Sequence, residues 1–251
     1  MSKAEEEFLK RMTPEELERA NAFLSRLSPE DLERANAYAK DLGSGLTIVR
    51  SFPQGVTIFG SARLPQNHKY CKMAYNLGAL LAKNGHAVVT GGGPGIMEAA
   101  SKGAFEIGGR TVGLNITLKH EQFPNPYLTD TLTFEYFFAR KVALAMAAKV
   151  FVFFPGGFGT MDELSEILCL MQEDKMPKMP VFLVGKSYWR SFDKIIKKML
   201  ELKVIAKNDP TIFKITDDIN DIVKAANKIG HPKVSESVYD GFRRTNSITS
   251  I

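Results

Sequence analysis

The stretch that most constrains this chain is Val150-Phe-Val-Phe-Phe154, which runs into Pro155-Gly-Gly-Phe-Gly-Thr-Met-Asp-Glu163. Five apolar, β-prone residues, an abrupt Pro-Gly-Gly turn, and then Leu164, Ile167, Leu168 and Met171 at helical spacing predict a buried strand, a tight loop and a helix N-terminus. Such a junction is an anion site. Gly156, Gly157 and Gly159 let a ligand approach the backbone, and the first N–H groups of the helix point outward with the positive end of its dipole behind them. Thr160 reads as the natural N-cap, able to offer its hydroxyl to an anion. Glu163 has two readings: a carboxylate beside a phosphate pocket, or the second half of a capping box that reaches back to Thr160.

The rest of the chain alternates in the same way. Val56–Phe59, Ala87–Thr90, Thr111–Leu114, Val181–Val184 and Ile212–Ile215 read as further strands. Helical patterns over Tyr70–Lys83, from Ile96, over Glu135–Ala148, Phe192–Leu202 and Ile219–Ile229 lie between or after them. Alternation of this kind predicts an α/β fold with a doubly wound, parallel, Rossmann-like sheet, whose ligands bind at the carboxyl ends of the strands near a switch point. The second strand also ends in a glycine turn, Gly91-Gly-Gly-Pro-Gly95, so the two turns would flank one nucleotide-sized crevice. Lys119–Tyr127, rich in proline, is expected to be irregular.

Before the domain lies a repeat. Thr13-Pro-Glu-Glu-Leu-Glu-Arg-Ala-Asn-Ala-Phe23 returns as Ser28-Pro-Glu-Asp-Leu-Glu-Arg-Ala-Asn-Ala-Tyr38, each copy with an N-cap hydroxyl and proline at the first helical position. These are two short helices with apolar faces (Leu17, Ala20, Phe23 and Leu24; Leu32, Ala35, Tyr38 and Ala39), and Gly43-Ser-Gly45 is expected to break the pattern. The organisation expected is a helical extension over residues 1–45, a nucleotide-binding catalytic domain over 46–230 and a mobile polar tail over 231–251.

Composition narrows the chemistry. The chain has 251 residues, 44% of them hydrophobic, enough for one large core. No apolar run approaches the ~20 residues of a membrane span, and the acidic, helical N-terminus is unlike a signal peptide, so a cytoplasmic protein without a membrane partner is expected. Cys71, Cys169 and the four histidines have no metal-ligand spacing. The net charge of +5 is dispersed, with no basic run interleaved with aromatics, which argues against a nucleic-acid partner. The first turn does not give Gly-x-Gly-x-x-Gly, and Asn115 stands where a dinucleotide site usually has an acid; Gly185-Lys-Ser187 lacks the upstream glycine of a P-loop. No cofactor is called for. What remains is a monophosphate cradle with Arg140, Glu98 and Glu163 as chemical groups. Glu98 could bind ribose hydroxyls or merely complement a helix dipole.

Gly91-Gly-Gly-Pro-Gly-Ile-Met-Glu98, Arg140-Lys141 and Pro155-Gly-Gly-Phe-Gly-Thr-Met-Asp-Glu163 together resemble the motif set of the LOG (Lonely Guy) family, often labelled lysine decarboxylases. The similarity spans about residues 50 to 230. It implies a phosphoribohydrolase that cleaves the N-glycosidic bond of a nucleoside 5′-monophosphate, AMP-like or a cytokinin ribotide, and it implies a homodimer or higher homo-oligomer. By position it makes Arg140 and Glu163 the catalytic pair. Gly92, Gly93, Gly95, Glu98, Lys141, Gly156, Gly157, Gly159 and Thr160 become the substrate contacts. Phe158 stands where many members have Tyr. A rival resemblance is to the molybdenum cofactor carriers, which bind a phosphorylated pterin without turnover; the intact Arg140 and Glu163 favour the enzyme. A pyridoxal phosphate lysine, which the decarboxylase label would need, is not recognisable.

Overall fold

The computed structural model describes residues 12–118 and 123–230. The first residues of the N-terminal extension, part of the proline-rich stretch (119–122), the tail (231–251) and the side chains of Ala20, Phe23 and Leu24 lie outside the described residues. The chain opens with helices α1 (Pro14–Leu24) and α2 (Pro29–Arg50). It continues as β1 (Gly55–Phe59), α3 (Lys69–Lys83), β2 (Val88–Thr90), α4 (Ile96–Phe105), β3 (Thr111–Ile116) and β4 (Asp130–Phe134). Then come α5 (Phe137–Met146), β5 (Ala148–Phe153), α6 (Phe158–Gln172), β6 (Val181–Val184), α7 (Lys186–Glu201), β7 (Phe213–Thr216) and α8 (Ile219–Ile229).

The seven strands form one sheet in the order β4-β3-β2-β1-β5-β6-β7, and every pair is parallel. The chain winds outward from β1 to β4, then returns to the other side of β1 and winds outward again. The switch point therefore lies between β1 and β5, where Phe59 is in register with Phe153 and ligands of such sheets bind. β5 is buried along its whole length because both faces are covered: Phe151 and Phe153 join one core, Val150 and Val152 the other. Period-two alternation is thus hidden in a continuous apolar run, as expected for a central parallel strand.

One expectation is corrected and one strand is added. α2 does not break at Gly43-Ser-Gly45; it runs on to Arg50. Gly45 is buried, and a Cβ there would stand 2.9 Å from the Phe134 ring and 3.2 Å from the Ala143 Cβ. This glycine is a close-approach residue that lets α2 lie on β4 and α5, and that packing offsets the ~1 kcal/mol cost of glycine in a helix. The added strand is β4, for which the sequence reading has no counterpart. Its Asp-Thr-Leu-Thr-Phe pattern is half exposed, as suits an edge strand, and it gives little hydrophobic signal.

α2 does more than cover the sheet. The Asp41 carboxylate accepts the N–H groups of Glu135 (3.1 Å) and Tyr136 (2.9 Å), at the start of α5. Tyr38 meets Tyr136 and Phe138 edge-on at 4.5 and 5.1 Å. The N-terminal extension therefore fixes the helix that carries Arg140.

Candidate active site

The carboxyl ends of β1, β2 and β5 and the start of α5 enclose a crevice of about 620 Å³. Each strand contributes a loop: Gly60–Arg63 after β1, Gly91 after β2, and the Gly157–Thr160 turn that opens α6. Gly157 is the N-cap of α6, and among the described residues no side chain caps this end. The first helical bond there runs from the Met161 N–H to the Gly157 carbonyl, so the donors before it face the crevice without an intrahelical partner.

This geometry removes the capping-box reading. Thr160 is the third residue of α6 rather than its N-cap, and Glu163 lies one turn further along, buried to 8% exposure. A capping-box acid is a surface residue; this one is inside. Burial pushes the Glu163 carboxyl up to about 7 from its ordinary 4.5, against the pull of Arg140 and then Lys141. A carboxyl held near neutrality can change charge at working pH, which is the property an acid, base or charge stabiliser needs.

Arg140 enters from α5. Its Nε donates to the Leu114 carbonyl at 2.7 Å, and burial depresses its pKa while the charge of Glu163 opposes the shift. Gly91 makes the room: a Cβ there would stand 2.1 Å from Arg140 Nη2. Hydrogen-bonded to a carbonyl of β3 and laid against the β2 turn, the guanidinium is oriented before any ligand arrives.

The other expected contacts divide. Gly157, Gly159 and Thr160 line the crevice, and Gly156 stands immediately behind them, its Cα close to the Thr160 hydroxyl. Gly92, Gly93 and Gly95 serve the turn itself: the carbonyls of Gly92 and Gly93 accept from Asn125 Nδ2 at 3.0 and 3.2 Å, and Gly95 is the N-cap of α4 at a φ of 69°. Asn115 packs against Gly92 and donates to the Thr131 hydroxyl. Lys141 is not a lining residue. It pairs with Glu166 at 2.6 Å and Asp162 at 2.9 Å, and although burial works against its charge, these partners hold its pKa above the ordinary value. It clamps α5 to α6. Glu98 sits in the first turn of α4, outside the crevice lining; burial first, and then the charge of Glu98, push the Cys71 thiol up.

Arg63 and Phe137, which the sequence reading does not assign to the site, also line the crevice, as does Gly91, the first residue of the second glycine turn. The signal for Arg63 was its place in the loop that follows β1. Lys149, a second perturbed group with a pKa lowered to about 8 by burial, belongs to the opposite end of the sheet. Its amine bonds His86 Nδ1 at 2.9 Å and the Gly230 carbonyl, tying the end of α8 to β5. Among the described residues no group of three or more His, Cys, Asp or Glu side chains could hold a metal ion, and no helix is long and apolar enough to cross a membrane.

Comparison with known proteins places this geometry in a wider context. The family model described as "Possible lysine decarboxylase" matches residues 97–226. A cytokinin riboside 5′-monophosphate phosphoribohydrolase from Rhodococcoides fascians is 29% identical over 145 residues, 56% of this chain and 73% of that one. A protein of the same name from Arabidopsis thaliana is 24% identical over 203 residues, 77% of this chain and 95% of that one. Among solved structures, the molybdenum cofactor carrier protein of Chlamydomonas reinhardtii superimposes with a TM-score of 0.53 at 23% identity, covering 70% of this chain and 98% of that one. At that identity the likeness shows the fold alone.

Proposed function

This chain belongs to the family described as possible lysine decarboxylases, the LOG family, and on that premise we propose that it is a phosphoribohydrolase acting on nucleoside 5′-monophosphates. The observation that carries the reading is a buried carboxyl held near pH 7, Glu163, sharing one crevice with Arg140 and an uncapped helix N-terminus. The N–H groups at the start of α6, with Gly156, Gly157, Gly159 and Thr160, hold the 5′-phosphate. Glu163 is one turn, about 4.5 Å of helix rise, behind Thr160, which brings its carboxylate alongside the ribose. Arg140 fixes the sugar and phosphate through its planar fork of donors.

In the reaction water adds to the anomeric carbon as the bond to the base nitrogen breaks; the base leaves with a proton, and ribose 5-phosphate carries the new hydroxyl. Positive charge develops on the sugar only on the way to the transition state. A carboxylate already in place stabilises that state more than the bound substrate. Its elevated pKa also lets Glu163 take the proton of the attacking water.

The residues do not fit pyridoxal phosphate. Among the described residues no lysine lines the crevice, and Lys141 on α5 is a protonated partner of two carboxylates. Exposed Phe137, Phe138 and Phe158, on the two helices that border the crevice, fit a homodimer that covers this face. The test of the activity is incubation with AMP and with adenosine, followed by chromatography for free base and ribose 5-phosphate. Base released from AMP and not from adenosine supports the reading. AMP bound without release points instead to a carrier of phosphorylated ligands.

A further inference from the structure

We propose that Tyr188 is a positioning residue for the phosphate cradle: its hydroxyl fixes the peptide between Gly156 and Gly157 so that the Gly157 N–H faces the ligand. The inference rests on the phosphate assignment above and extends it to a residue outside the glycine motif. Tyr188 lies in the first turn of α7, after the neighbouring strand β6, and its hydroxyl donates to the Gly156 carbonyl at 2.5 Å. The ring is held edge-on against Trp189 at 5.0 Å. Trp189 is fully buried and donates from Nε1 to the Val184 carbonyl, so the hydroxyl is presented from a fixed base.

The consequence follows from peptide planarity. The Gly156 carbonyl and the Gly157 N–H belong to one trans peptide unit and point in opposite directions. Pinning the carbonyl toward α7 aims the N–H away from α7, on the side where Gly157 lines the crevice. A peptide between two glycines has little steric resistance to rotation. Released, it can turn its carbonyl oxygen toward the ligand, and a repelling dipole then replaces a donor. The hydroxyl thus acts on phosphate affinity and leaves the chemistry at Glu163 untouched.

The experiment compares the wild type with Tyr188→Phe, which keeps the ring and its contact with Trp189. Titration calorimetry with ribose 5-phosphate and with inorganic phosphate is paired with AMP kinetics and a melting curve. The expected result is a Kd for both anions raised roughly 10-fold. KM for AMP rises by a similar factor, kcat stays within about 2-fold, and melting is unchanged, the pattern of lost ground-state binding. Equal anion affinities in the two proteins, or no anion binding by the wild type, overturn the proposal. A fall in kcat without a change in Kd also overturns it, because the hydroxyl then serves the chemistry. A Tyr188-dependent anion affinity in a protein that releases no base leaves the positioning role standing and removes the hydrolase reading alone.

Discussion

Replacing Glu163 by Gln should stabilise the protein in a pH-dependent way while abolishing most of its activity. The buried carboxyl titrates at about 7 in the folded chain and near its ordinary 4.5 when unfolded. Between those values the folded state binds the proton more tightly, so this group makes the fold progressively less stable as pH rises through about 4.5 to 7. Above that window the cost is constant. The gap between the two values, at about 1.36 kcal/mol per pH unit, makes that cost about 3 kcal/mol at pH 8; at pH 5 it is below about 1 kcal/mol. Gln has nearly the same shape and no charge. Glu163→Gln should therefore melt roughly 6–12 °C above the wild type at pH 8 and within a few degrees of it at pH 5. In the same protein kcat for AMP should fall on the order of 10²-fold or more, with AMP affinity largely kept. Thermal unfolding at the two pH values, calorimetry and base release, all on one variant, make the test. An equal melting shift at both pH values would falsify the buried-charge account. Retained turnover would remove Glu163 from the chemistry.

The neighbouring groups give further tests. If ionised Glu163 is the working form, kcat/KM of the wild type rises with pH to a plateau above about 7; Lys141→Met removes a cation that favours the carboxylate and should move that midpoint upward. Gly91→Ala pushes a methyl into the guanidinium of Arg140, so AMP turnover should drop on the order of 10-fold or more, measured beside Arg140→Lys, which loses the planar fork. Removal of residues 1–27, which leaves the Ser28 cap of α2 in place, should shift melting by less than ~2 °C, whereas removal of 1–50 also takes away the Asp41 cap and the Gly45 contact and should lower it by more than ~5 °C.

The contrast between what the sequence made legible and what it did not has a physical pattern. The glycine turn after β5 was readable because its signals are local: a β-branched and aromatic run, a proline, and glycines at a helix start. Glu163 could be located but not interpreted. Whether the acid of a Thr-x-x-Glu pattern caps a helix or lies buried within it depends on where the helix begins, and α6 begins at Phe158, two residues before the hydroxyl that sequence chemistry favours as a cap. Gly45 was misread, and the second role of Gly91 was hidden, for a different reason. A glycine that exists for a close approach looks identical in sequence to one that turns the chain, and the partner it accommodates, Arg140 in one case and Phe134 in the other, is many residues away. The same distance hid Lys141, which reads as a ligand contact next to Arg140 until α6 supplies its two carboxylates. Local chemistry thus nominates the reactive groups, and the tertiary pairing decides which of them remain free to react. Among the described residues Arg140 directs one donor to a protein carbonyl and lines the crevice, whereas its neighbour in sequence is spent on holding two helices together. A substitution that frees Lys141, such as Glu166→Gln together with Asp162→Asn, should therefore loosen the α5–α6 contact without creating a second phosphate ligand: melting falls, and AMP affinity does not rise.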